Sequence, residues 1–333
     1  MPANTANGTN NDLKYSRPFA IFAGKIILNK DQDNADLKPH AALVGVQVLF
    51  GSLPVIGKLV LAVVPAISLV GFRVGITALV LFIVQAYRRR VWLQHREDYK
   101  KLAVLSLFGV TFNQLLFIGG LSLTKASNTS LLAVTIPIFT LVVSAIAGTE
   151  KLRAAKLFGI LLAAAGILFL IDPRKASFSS ETTLGDLMII LNSLSYGVFV
   201  ATSKETIMRN GPFRSTMWIF IFASLVCVPL GLYSLSGTDV AAIDANIWLL
   251  ILYVAVVATA GPYLLNAFAL AKVKPSVVAV YIYLQPVIGF ILAVVFLNEV
   301  LDAKFAVAAV CVFAGVYLTT RRRTDRLVHM TAA

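Results

Sequence analysis

The chain of 333 residues is 58% hydrophobic and 14% charged, with a mean hydropathy of +0.83, which is more apolar side chain than one soluble core takes in without leaving helices apolar all round. Its net charge of +13 does not indicate nucleic acid, because the basic residues collect at the ends of apolar stretches and not in a patch interleaved with aromatic rings. The two cysteines, Cys227 and Cys311, both lie inside apolar stretches, so no disulfide framework is readable.

In chain order, residues 1–39 are rich in Asn, Asp, Lys and Ala, and their one apolar run, 19–28, is interrupted by Lys25. That run is too short to span a bilayer. It is followed by charge and not by a small-residue cleavage site, so the segment reads as a disordered cytoplasmic tail. A hydrocarbon core about 30 Å thick needs about 20 mostly apolar residues per crossing, and ten stretches meet that need: 41–61, 65–86, 102–122, 127–147, 155–171, 184–203, 215–235, 247–271, 276–297 and 303–320. With the N-terminus inside, 23 of the 29 Lys and Arg fall in inner segments, and four (Lys125, Arg174, Lys175 and Lys304) fall in outer loops. Lys58 and Arg73 lie within spans. This bias puts both termini in the cytoplasm of a multi-pass protein, and a bacterial inner membrane is the expected location.

The first span is broken by Gly51-Ser52-Leu53-Pro54, with Lys58 one turn on; broken helices at membrane depth line cavities or pack against protein. Arg73 follows in the second span, and Arg88-Arg89-Arg90 with Trp92 anchors the next loop at the interface. Asn113 and Gln114 sit in the middle of the third span. The sixth carries Asp186 one turn from its outer end, then Asn192 and Tyr196, which share a face four residues apart. Tyr263 and Asn266 are three apart in the eighth span, and Tyr281 and Gln285 four apart in the ninth, just before Pro286. The fifth and tenth spans carry small residues, Gly159, Ala163 and Gly166 and then Ala308, Ala309 and Gly315, which allow close approach between halves or between protomers of a homodimer.

The stretch 121–171 returns in diverged form at 270–320, offset by 149 positions without a gap. Nine of fifty-one residues are identical, and they punctuate the pattern: Leu121/Leu270, Lys125/Lys274, Ser127/Ser276, Pro137/Pro286, Glu150/Glu299, Leu152/Leu301, Ala154/Ala303, Ala165/Ala314 and Gly166/Gly315. Each copy reads as an apolar helix with a central proline, a turn holding a glutamate, and a second helix rich in small residues. Glu150 and Glu299 are expected to begin those second helices, at the positive end of the dipole. Five spans per half is odd, so the halves cross in opposite senses. The expected fold is therefore all-α, an integral membrane protein of ten transmembrane helices as two inverted five-helix repeats: 40–172 and 183–320, between the tail 1–39 and a basic cytoplasmic tail 321–333.

The Leu-x-x-Thr-x-Ala-Ser entry at 121–127, the mid-helix Pro137 and the Thr149-Glu150-x-Leu152 turn resemble the pattern of EamA domains in the drug/metabolite transporter superfamily. The second copy carries Val273, Pro275 and Asn298 at the corresponding threonine, alanine and threonine positions. The resemblance implies a secondary carrier of small metabolites, usually an exporter.

The chemistry of the spans fits that expectation. They hold no histidine cluster, carboxylate pair or nucleophile beside a base, so an enzyme is not expected; no metal set and no cofactor are implied. Asn113, Gln114, Asn192, Tyr196, Tyr263, Asn266, Tyr281 and Gln285 each suit an interhelical hydrogen bond, and jointly favour a central polar cavity, because polar groups in hydrocarbon turn inward. Lys58 and Arg73, each costing about 2.5–3.5 kcal/mol at a helix centre, either reach for the outer headgroups or face the cavity and attract a carboxylate, with Lys204 as the inner counterpart of Lys58. Asp186 is the one acidic side chain clearly within a span, placed to carry a proton or to start a helix. The expected partners are a small-molecule substrate, such as an amino acid or a related compound, and the lipid bilayer. A receptor or regulatory subunit without transport, and a lipid-modifying enzyme, are the readings from other classes.

Overall fold

Backbone in hydrocarbon must satisfy its own N–H and C=O groups, and among the described residues the chain does so with helices alone. The computed structural model describes residues 37–50, 56, 59–124, 132–171, 182–285, 287–288 and 303–320. The tails 1–39 and 321–333, apart from 37–39 which open the first helix, fall outside them, as do the Gly51 to Pro54 break, Lys58, Pro286 and Glu299. The first half contains α1 (Leu37–Phe50), α2 (Ala66–Tyr87), α3 (Arg96–Ser106), α4 (Phe112–Leu123), α5 (Ile136–Ile146) and α6 (Ala154–Ile171). The second contains α7 (Thr183–Thr202), α8 (Lys204–Asn210), α9 (Pro212–Leu235), α10 (Ala245–Ala255), α11 (Gly261–Leu270), α12 (Pro275–Val280) and α13 (Ala303–Thr320). A π-helical turn, Leu107–Thr111, joins α3 to α4, and another, Val256–Ala260, joins α10 to α11.

Five stretches are long and apolar enough to cross a bilayer: Ala66–Tyr87, Arg96–Gly120, Thr183–Thr202, Pro212–Leu235 and Ala245–Leu270. The protein is therefore a multi-pass membrane protein. Shorter apolar helices occupy Leu37–Phe50, Ile136–Ile146, Ala154–Phe169 and Ala306–Thr320. The outward faces carry Leu79, Ile83, Phe158, Leu225 and Val310, a surface suited to lipid and not to water.

The sequence places Pro137 in the middle of a helix, but α5 begins at Ile136 with Pro137 in its first turn. A missing N–H breaks no helical bond there. In the second copy α12 likewise stops early and passes into a 3-10 turn, Tyr281–Tyr283, ahead of Pro286. The two breaks meet: Tyr283 Oη donates to the Val134 carbonyl at 2.7 Å, and these residues are equivalent under the 149-residue offset.

Equivalent helices also pack on each other. α6 and α13 are antiparallel, since Gly159 faces Gly315 and Thr319 whereas Gly166, two turns later, faces Ala308 and Cys311. A Cβ on Gly159 would stand 2.8 Å from the Gly315 carbonyl oxygen, and one on Gly166 2.7 Å from Cys311 Cβ. The small residues thus serve contact between halves of one chain. α2 packs against α9 in the same manner, with Gly71 so near Gly231 that an added Cβ would lie 2.9 Å from its Cα. α4 and α5 pack on α7, and α3 on α9. The main apolar core, including Val110, Leu141, Phe220 and Tyr283, runs through both halves.

Candidate functional site

The two π-helical turns are equivalent under the same offset of 149 residues. A π turn interrupts the i to i−4 ladder and turns carbonyls toward other partners. In the first turn those partners belong to the second half: Ser195 Oγ donates to the Phe108 carbonyl at 2.9 Å, and Tyr263 Oη to the Gly109 carbonyl at 3.1 Å. At the second turn Thr77 Oγ1, from the first half, donates to the Ala255 carbonyl at 2.8 Å. Thr259 Oγ1 donates to the Val254 carbonyl at 2.7 Å, five residues back, which closes the wide turn from within. Each half therefore completes the irregular helix of the other.

The candidate side chains collect around these turns. Gln114 Nε2 donates to Tyr263 Oη at 3.2 Å. This pair again obeys the 149-residue offset, so equivalent residues of the two halves meet directly. Arg73, 4% exposed, donates from Nε to Thr259 Oγ1 at 3.0 Å, four residues from Tyr263. Phe220 and Phe50 set ring edges against Tyr263. Asn266 Nδ2 donates to Tyr196 Oη at 2.6 Å, and Asn192 Nδ2 donates to the Asn113 carbonyl, also at 2.6 Å. Arg73, Gln114, Tyr263, Asn266, Tyr196 and Asn192 are thus joined to partners from the opposite half or across α7 and α11.

Three expected residues lie apart from that cluster. Tyr281 is buried and its hydroxyl lies 2.8 Å from His40 Nδ1. Gln285 is half-buried. Asp186, at the start of α7, accepts a hydrogen bond from Thr124 Oγ1 at 2.5 Å. Sequence reasoning missed Thr259, which carries no signal of its own, and His40, which reads as an unremarkable helix-end residue. Among the described residues no group of three His, Cys, Asp or Glu side chains is placed to hold a metal ion.

At one end of the bundle the loops of the two halves are tied together. Glu150, expected to start the helix that follows it, instead reaches the other half: its Oε1 accepts from the Ser276 backbone N–H at 2.8 Å and its Oε2 from Ser276 Oγ at 2.8 Å. It caps α12, whose first N–H groups have no partner of their own. Lys156 pairs with the same carboxylate and donates to Ser276 Oγ at 2.8 Å. Ser276 and Glu150 both stand among the nine repeat identities, so the sequence carried a signal for each but none for their pairing. Lys204 donates to the Val273 carbonyl at 2.7 Å. Burial lowers its pKa, an effect that Glu150 opposes and Lys274 and Lys156 reinforce. At the same end Arg209 and Asn210 hold the buried carboxylate of Asp98.

Comparison with known proteins agrees with this architecture. A solved crystal structure superposes with a TM-score of 0.71 at 19% identity, covering 84% of this chain and 96% of that one, a likeness of fold. The chain is 23% identical over 309 residues to the uncharacterized transporter YetK of Bacillus subtilis, covering 92% of each. It is 28% identical over 227 residues to an uncharacterized transporter of Archaeoglobus fulgidus, covering 68% of this chain and 78% of that protein. It is 30% identical over 203 residues to a protein of Salmonella typhimurium named "Probable amino-acid metabolite efflux pump", covering 57% of this chain and 67% of that one. The EamA-like transporter family matches residues 38–172 and again 183–321, and with two copies filling most of its length the chain belongs to that family of membrane transporters.

Proposed function

We propose that the protein is a secondary transporter that exports a small polar metabolite, such as an amino acid or a related compound, by alternating access between two inverted five-helix repeats. The observation that carries this reading is the hydrogen bond between Gln114 and Tyr263, equivalent residues that join the halves in the middle of an apolar bundle. Inverted-repeat carriers hold their substrate at the interface of the repeats, where broken helices expose backbone groups. The paired π turns and the antiparallel contact of α6 with α13 support that arrangement. So does the Salmonella relative's name. Ten crossings, both termini in the cytoplasm and a plasma-membrane location belong to the same proposal. In it the tie between Glu150 and Ser276 closes the cytoplasmic end, so this conformation is shut on that side.

The test is flux in proteoliposomes containing the purified protein and loaded with radiolabelled amino acids. Efflux above that of protein-free vesicles is expected, with Gln114→Ala and Tyr263→Phe lowering it by about tenfold, the worth of one buried hydrogen bond or slightly more. A protein that binds such compounds yet moves none of them would be a receptor, and the transporter reading would fall.

A further inference from the structure

A guanidinium keeps its charge at any physiological pH and offers five N–H donors. Arg73 uses one of them, on Thr259 Oγ1; among the described residues its terminal Nη groups meet no acceptor and no carboxylate forms an ion pair with it. Asp98 and Glu150, the acidic groups in ion pairs with buried ends, are held at the far end of the bundle, and Asp186 is bound to Thr124. A buried cation without a counter-ion is costly, and inside membranes such residues mark substrate or ion paths. Here it sits at the interface of the halves, bonded across it to Thr259 of a π turn, four residues ahead of Tyr263 in the chain.

We propose that Arg73 is the receptor for the carboxylate of the transported compound, which makes the substrate class small carboxylates and zwitterions and excludes free amines; this rests on the transporter reading above. The free Nη edge suits the two parallel hydrogen bonds that a carboxylate accepts. Thr259 fixes the other edge through Nε, and its own bond to the Val254 carbonyl holds it in place. Tyr263 and Gln114 stand alongside to meet the polar remainder of the ligand. A single guanidinium matches one negative charge, which favours carboxylates over phosphate dianions.

The experiment measures melting of the purified protein in detergent at constant chloride with the twenty amino acids, their amides, and the amines left by removing the carboxyl group. Acids are expected to raise the melting temperature, and the matching amides and amines to leave it unchanged. Arg73→Gln is expected to abolish the acid-induced shift while melting no lower than wild type when empty, because it removes an unpaired buried charge. Arg73→Lys keeps the charge but loses the fork and is expected to bind about tenfold or more weakly. A merely structural arginine would do the reverse, lowering the empty protein's melting temperature and sparing the ligand shift. No shift with any acid, or equal shifts with acid and amide, overturns the assignment of Arg73. Flux of a neutral compound through wild type and Arg73→Gln alike would do so while leaving transport itself intact.

Discussion

Asp98 is fully buried, and its carboxylate accepts from Arg209 Nε at 3.0 Å, from Asn210 Nδ2 at 2.7 Å and from Arg209 Nη2. A buried carboxylate with three donors is satisfied; the same donors without it are not. Asp98→Ala leaves the buried Asn210 amide with its bond to the Thr206 carbonyl alone and strands half of the Arg209 fork. Arg209 keeps a third of its side chain exposed, so water takes over part of its need, and the expected loss is about 1–3 kcal/mol. Thermal melting in detergent checks this, and a wild-type melting temperature for Asp98→Ala would mean that the cluster adds nothing. Polar character at Gln114, Tyr263 and Arg73 is visible in the chain itself, because such residues stand out in apolar stretches. Their partners are not, since hydrogen bonds between residues 149 and 186 positions apart depend on how helices cross.

Among the elements, the turn between α5 and α6 does more than reverse the chain. Gly148, with φ of +70°, makes the sharp bend that presents Glu150; a side chain at that position would cost about 1–2 kcal/mol. Glu150 is then carried across to the start of α12, where the N–H of Ser276 awaits a cap. If this tie closes the cytoplasmic end, Glu150→Gln weakens a charge-assisted contact worth about 1.5–3 kcal/mol and shifts the balance toward the state open there by about tenfold or more. A cysteine replacing Val277, which is 6% exposed, reports on it, in a background with Cys227 and Cys311 changed to alanine. Its labelling rate from the cytoplasmic side is expected to rise by that factor in Glu150→Gln. An unchanged rate would reduce Glu150 to a static helix cap. The sequence signals a glutamate near a helix start, and only the helix it serves is different, because the loop folds over to the other half.

For the molecule as a whole, the loops 88–101, 148–156, 203–214 and 272–276 come together at one end through the Asp98, Glu150 and Lys204 contacts. They hold fourteen Lys and Arg residues. Positive charge is retained on the cytoplasmic side during insertion, so this end is expected to face the cytoplasm, along with both termini. A fluorescent reporter fused after Ala333 should light up, and alkaline phosphatase at the same place should stay silent. Active phosphatase there would put the C-terminus outside and overturn this orientation.

Composition and the spacing of apolar runs were enough to determine a helical membrane protein, and the 149-residue offset was enough to mark two related halves, because hydrophobic length and repeated punctuation are local properties of the chain. The family pattern at Pro137 and Glu150 was legible for the same reason. Tertiary structure decided the rest. Leu107–Thr111 and Val256–Ala260 have no composition that announces a π turn; they exist where Ser195, Tyr263 and Thr77 donate to carbonyls in or just before them, which they do only once the halves have docked. Pro137 moved from mid-helix to helix start because the chain breaks where the Tyr283 hydroxyl can serve the Val134 carbonyl. Whether Gly159 and Gly315 meet each other or a second protomer was likewise open in the sequence. Two small faces of one chain are already held close by the packing around them, so they reach each other before a partner does.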